Sequence, residues 1–218
     1  MGGRDKNFTG KSKILNSIFQ FKDTNDILYI PLANDNYLEG LKHFVDQINR
    51  KINIRVLDIN NINEFKELTL KYEIIIIPGG CYNLLYERLS KYELIDHFKS
   101  LDNKVILGIS AGAILLCEYG MGDKDVFIDN NEYYNFKMVK GLGILPYTIC
   151  PHYQKNELVI FNDIYKEYPF DAFCLEDDTA ILISGSDIDI IKDTLRNSVY
   201  KINKNNGYIL TPLYERKN

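Results

Sequence analysis

The sequence predicts an α/β fold: a mostly parallel sheet sandwiched by helices in three layers, finished by a small antiparallel C-terminal hairpin. Three observations predict it. Apolar runs such as Ile74-Ile75-Ile76-Ile77 are continuous rather than alternating, which implies strands buried on both faces. These runs alternate with stretches whose apolar residues recur at helical spacing, the pattern of parallel strands joined by crossover helices. Near the C-terminus, Asn206-Gly207 separates two short apolar runs and signals a tight hairpin.

Each element has its own reason. Ile27 to Ile30 is a buried strand closed by Pro31. Residues 37–48 carry Leu38, Leu41, Phe44, Val45 and Ile48 at helical spacing. Ile54 to Ile59 is the next strand, and Asn63 caps a short helix running to Leu70. Ile74 to Ile77 is the strongest strand, because four β-branched residues precede Pro78-Gly79-Gly80. A helix over 84–101 breaks near Ser90. Val105 to Leu107 is a strand ending at Gly108, and a helix follows over 111–118. Beyond Gly141 a helix over 157–168 precedes strands at 172–175, 180–183, 199–202 and 208–210. With no internal repeat, residues 1–218 read as a single domain.

Composition narrows the function classes. The chain has 218 residues, 45% of them hydrophobic, enough for one compact core and too apolar for a disordered chain. The net charge is -4, without the basic excess or stripe of a nucleic-acid binder or of a protein that docks on anionic membranes. Cys81, Cys117, Cys150 and Cys174 are far apart, with no CxxC pair and no His at zinc spacing. A zinc site is therefore not expected, and free thiols suit a reducing cytoplasm. No run approaches the roughly 18 apolar residues of a membrane span. Residues 1–13 are too polar for a signal peptide. Lys6 stands where N-myristoylation needs Ser or Thr.

The chemistry centres on Gly108-Ile109-Ser110-Ala111-Gly112, a G-x-S-x-G pattern between a predicted strand and a predicted helix. A serine at such a sharp turn is strained and exposes its hydroxyl, while small neighbours let the backbone pass. The Ala111 N–H is then placed to act as one oxyanion donor. Gly79-Gly80 follows the Ile strand at the carboxyl end of a parallel sheet, where ligands bind, and offers a second donor. Of three histidines, His43 and His97 lie on predicted helices among charged neighbours and read as surface residues. His152 sits in a loop stiffened by Pro151, where it can take a proton from a serine. A triad needs a third group to orient the imidazole. Glu118, Asp123, Asp125, Asp129 and Glu132 lie between Ser110 and His152; the segment Gly120-Met121-Gly122-Asp123-Lys124-Asp125 reads as a loop able to bring an acid back toward the site, and the residues alone do not choose among them.

Together these motifs resemble one family. The elbow 108–113, the upstream Pro-Gly-Gly, the Gly-Leu-Gly-Ile-Leu-Pro run leading to Cys150-Pro151-His152-Tyr153, and the later Leu175-Glu176-Asp177-Asp178-Thr179-Ala180 are similar to peptidase E. These are aspartyl-dipeptidase-type serine peptidases whose fold is like that of class I glutamine amidotransferases. The resemblance spans nearly the whole chain. It implies Ser110 as nucleophile, His152 as general base, and oxyanion donors from Ala111 and the Gly79-Gly80 loop. It implies an acid soon after the elbow helix, Asp125, or Asp123 as in other relatives. It implies a short peptide substrate and no cofactor or metal, with monomer and homodimer both open. The chain departs from the family at Gly79-Gly80-Cys81-Tyr82, where relatives carry Gly-Gly-Asn-Thr, and at Gln154, where they carry Asp. The resemblance therefore carries the hydrolytic machinery without the preference for an N-terminal Asp.

Two other readings use the same residues. One is a serine hydrolase acting on a non-peptide small substrate. The other is a regulatory binding protein that keeps the scaffold without turnover. Relatives begin with an apolar strand that runs into a Gly-Gly turn, and Met1-Gly2-Gly3 stands at that turn. The expectation is therefore a domain without its usual first strand.

Overall fold

The computed structural model describes residues 1–3, 10–123, 136–154, 165–168, 170–203 and 209–214. The chain forms two compact units, Asp5–Gly112 and the combination of Met1–Arg4 with Ala113–Asn218.

The first unit is the parallel α/β layer expected from the continuous apolar runs. Strands β1 (Asp26–Tyr29), β2 (Asn53–Val56), β3 (Ile74–Ile77) and β4 (Val105–Gly108) form a sheet in the order β2-β1-β3-β4. Every pairing in it is parallel. The four isoleucines of β3 are fully buried, as a central strand covered on both faces requires. Helices flank this sheet: α1 (Lys13–Ser17), α2 (Leu38–Asp46), α3 (Phe65–Lys71), α4 (Tyr82–Lys91) and α5 (Ile95–Lys99). The expected helix over 84–101 is thus two helices, parted by Glu93 in a left-handed conformation at φ 53°. On α4, Leu85 and Leu89 lie one turn apart and bury the same face. On α2 only Phe44 is fully buried, while Leu38 at its first position is 70% exposed.

His97, expected on the surface, is a half-buried seam residue between α3 and α5. Its Nε2 lies 2.8 Å from Thr69 Oγ1, and its ring meets Phe65 edge-on. Burial, and then the positive charge of Lys66, lower its pKa.

The second unit is built on a mixed sheet. Its strands are β5 (Cys117–Asp123), β6 (Phe136–Lys140), β7 (Leu145–Cys150), β8 (Ala172–Leu175), β11 (Val199–Asn203) and β12 (Ile209–Leu213), in the order β12-β11-β8-β7-β5-β6. β7 runs parallel to both β5 and β8, and the outer pairings are antiparallel. β9 (Thr179–Ser184) and β10 (Asp187–Lys192) form a separate antiparallel hairpin. β11 and β12 are the expected C-terminal antiparallel pair, while Asn206-Gly207 lies outside the described residues. So does most of the expected helix over 157–168.

The expected helix over 111–118 ends early, as α6 (Ala111–Leu116), and the glycines of 120–122 lie in a strand rather than a loop. Close packing explains this. A Cβ on Gly120 would stand 2.7 Å from the Ile114 side chain, so glycine lets β5 pass beneath the helix. Residues 1–3 lie in no strand. Gly2 N–H donates to Thr179 O at 3.0 Å, and Gly3 O accepts from Asp178 N–H at 3.1 Å.

Candidate active site

In the first unit, β4 leads into Ser110. Gly108 pairs with Ile77 of β3, and Ile109 N–H still donates to Ile77 O at 2.9 Å. The ladder stops there, because Ser110 turns left-handed at φ 52° and α6 begins at Ala111. A non-glycine residue pays about 1–3 kcal/mol for such a conformation, and the strand on one side and the helix on the other hold it there. This is the strained elbow that the G-x-S-x-G spacing predicts. Ser110 is half-buried and Ala111 is buried.

The loop after β3 stands beside it. A Cβ on Gly79 would sit 3.1 Å from Ser110 Cβ and 3.7 Å from its Oγ, so bare backbone faces the hydroxyl. Gly80 packs against the Ala33 carbonyl, and Cys81 N–H donates to the same oxygen at 2.8 Å, which fixes the loop. Gly79, Gly80, Ser110 and Ala111 are thus gathered just beyond the carboxyl ends of the adjacent strands β3 and β4. At the point of departure from relatives, Tyr82 turns into the core, and burial raises its phenol well above the ordinary value.

In the second unit, β7 and β8 deliver an imidazole and a carboxylate to one edge. The strands are parallel with Cys150 opposite Cys174, so the residues just beyond each emerge side by side. Tyr153 N–H donates to Leu175 O at 2.9 Å and ties the two exits together. His152, left-handed at φ 54°, places Nδ1 2.7 Å from Asp177 Oδ1. Both side chains remain partly exposed, 51% for His152 and 37% for Asp177. The neutral tautomer that donates Nδ1–H to this carboxylate keeps Nε2 as an acceptor, the form a general base needs.

Gly3 lies directly against this pair, and a Cβ there would run into both the His152 ring and the Asp177 carboxylate. Beneath the pair, Cys150 and Cys174 are buried free thiols, and burial raises the Cys174 thiol well above its ordinary value. Buried thiols of this kind are chemically inert.

The sequence points to an acid between Ser110 and His152, whereas the carboxylate set against His152 is Asp177, outside that span. Of the acids in that span, Asp123 ends β5 with its backbone opposite Phe136. Asp125, Asp129 and Glu132 lie outside the described residues. Glu118 stands at a register shift in β5, against Gly143. The signal that could have found Asp177 was an acidic turn immediately after a strand, Leu175-Glu176-Asp177-Asp178. What was missing was the pairing of that strand with the one leading to His152. Among the described residues, no group of three or more His, Cys, Asp or Glu could hold a metal ion. No described helix is long and apolar enough to cross a membrane.

An α/β fold that holds a serine left-handed at a strand-to-helix elbow defines a class, the hydrolases that work through an activated serine. Within it, the family model for peptidase family S51 matches residues 1–191, and the chain belongs to that family of serine peptidases. A solved structure agrees in fold: a 1.5 Å crystal structure of a protein from Listeria monocytogenes EGD-e, provisionally assigned as a peptidase E. It is 19% identical, with a TM-score of 0.57 over 85% of this chain and 97% of that one. No curated protein sequence matches.

Proposed function

We propose that this peptidase is a cytoplasmic exopeptidase acting on short peptides, dipeptides among them, through Ser110, His152 and Asp177. The observation that carries the reading is Ser110 at φ 52° beside the bare backbone of Gly79. Ser110 Oγ attacks the scissile carbonyl while His152 Nε2 takes its proton. Asp177 holds the imidazole through Nδ1 and stabilises the imidazolium, the role that sequence reasoning gave to Asp125 or Asp123. Ala111 N–H and the Gly79-Gly80 backbone hold the developing oxyanion. His152 then protonates the leaving amine, and a water activated by the same nitrogen releases the acyl group. Both units act as one domain in this scheme, with no metal, cofactor or nucleic acid.

The test is hydrolysis of a dipeptide panel by wild type and by Ser110→Ala. The scheme expects measurable turnover in the first, with loss to background and an unchanged thermal midpoint in the second. Turnover retained by Ser110→Ala would overturn it. Labelling of Ser110 by a fluorophosphonate without hydrolysis of any dipeptide would point instead to a non-peptide substrate. No labelling would favour a binding protein on the same scaffold.

A further inference from the structure

We infer that Asn197 is a positioning residue for the His152–Asp177 pair, an inference that rests on the serine-hydrolase reading above. Asp177 lies in the turn between β8 and β9, and the next residue, Asp178, is left-handed at φ 57°. A non-glycine residue leaves that conformation unless neighbouring groups hold it.

The antiparallel register of β8 and β11 supplies the hold. Val199 pairs with Leu175. Continuing the ladder one step outward sets Ser198 opposite Glu176, and one further sets Asn197 opposite Asp177. Bonds form at both steps. Glu176 N–H donates to Ser198 O at 3.2 Å, and Ser198 N–H donates to Glu176 Oε2 at 2.7 Å. At the next step the side chain takes over from the backbone, and Asn197 Nδ2 donates to Asp177 O at 2.5 Å.

Other bonds brace the turn at its flanks. Thr179 Oγ1 donates to Glu176 O at 2.6 Å, and Asp178 N–H donates to Gly3 O. The Asn197 bond falls on the peptide carbonyl of Asp177 itself. The Asp177 side chain is partly exposed, so the position of its carboxylate follows the backbone that Asn197 holds. A displacement of about 1 Å in such an array costs up to roughly a hundredfold in rate. Asn197 also lies beyond residue 191, where the family model ends, so the family match does not supply it.

The test is a double-mutant cycle on the full chain, read as the rate of fluorophosphonate labelling of Ser110 in wild type, Asn197→Ala, Asp177→Ala and the double variant. Asn197→Ala is expected to slow labelling about tenfold in the wild-type background. It should have no further effect once Asp177 is Ala, because it acts through that residue. Equal slowing in both backgrounds, or none in the first, would overturn the inference while leaving the serine-hydrolase reading intact. If Asn197→Ala does not fold, Asn197→Leu fills the same space without the donor and carries the same comparison. Wild type that is not labelled at Ser110 would overturn both.

Discussion

At the scale of single residues, the chain places its backbone strain where the chemistry is proposed. Five described non-glycine residues have positive φ, and three of them are Ser110, His152 and Asp178. Each costs about 1–3 kcal/mol and persists only where its surroundings over-determine it. The serine was legible because its reason is local: a small-residue turn between strand and helix. His152 was legible for the same reason, a loop residue stiffened by Pro151. Asp177 was not, because it meets His152 only through the pairing of β7 with β8. Such register is a long-range choice that no periodicity reports. Its role is checked by Asp177→Asn, which keeps the shape and loses the charge. Peptide hydrolysis by this variant should fall in kcat by about 10²–10⁴, with little change in KM. A kcat within twofold of wild type would remove Asp177 from the mechanism.

At the scale of elements, three parallel strands of the first unit, β1, β3 and β4, were read to within a residue, because burial on both faces leaves continuous apolar runs, while the expected strand Ile54 to Ile59 ends at Val56. The segment 117–150 was not. Gly120 and Gly122 looked like loop residues, whereas the strand needs them so that Ile114 and Val139 can approach. The α3–α5 seam was misread in a different way, since the charged neighbours of His97 hide its contact with Thr69. That seam has a measurable pH dependence. The folded pKa of His97 is lowered, so the unfolded chain takes up the proton first as pH falls. The stability His97 contributes is therefore present above its unfolded value of about 6.5 and lost as pH drops through the window below it. Urea melts between pH 7 and pH 5 should show a smaller loss for His97→Gln than for wild type. Parallel curves would show that the seam does not carry the effect.

At the scale of the whole chain, the proposed machinery is divided along the sequence. The nucleophile and the oxyanion loops belong to Asp5–Gly112, and the imidazole and its carboxylate belong to the other unit. Neither unit alone holds a complete set of groups, and the family model spans both. The central claim is that His152, backed by Asp177, activates Ser110. The most direct measurement of it is the rate and position of fluorophosphonate attachment in wild type and His152→Ala. The account predicts an adduct on Ser110 in wild type and labelling slowed at least about a hundredfold in His152→Ala. Equal rates in the two proteins, or a wild-type adduct on any other residue, would contradict it.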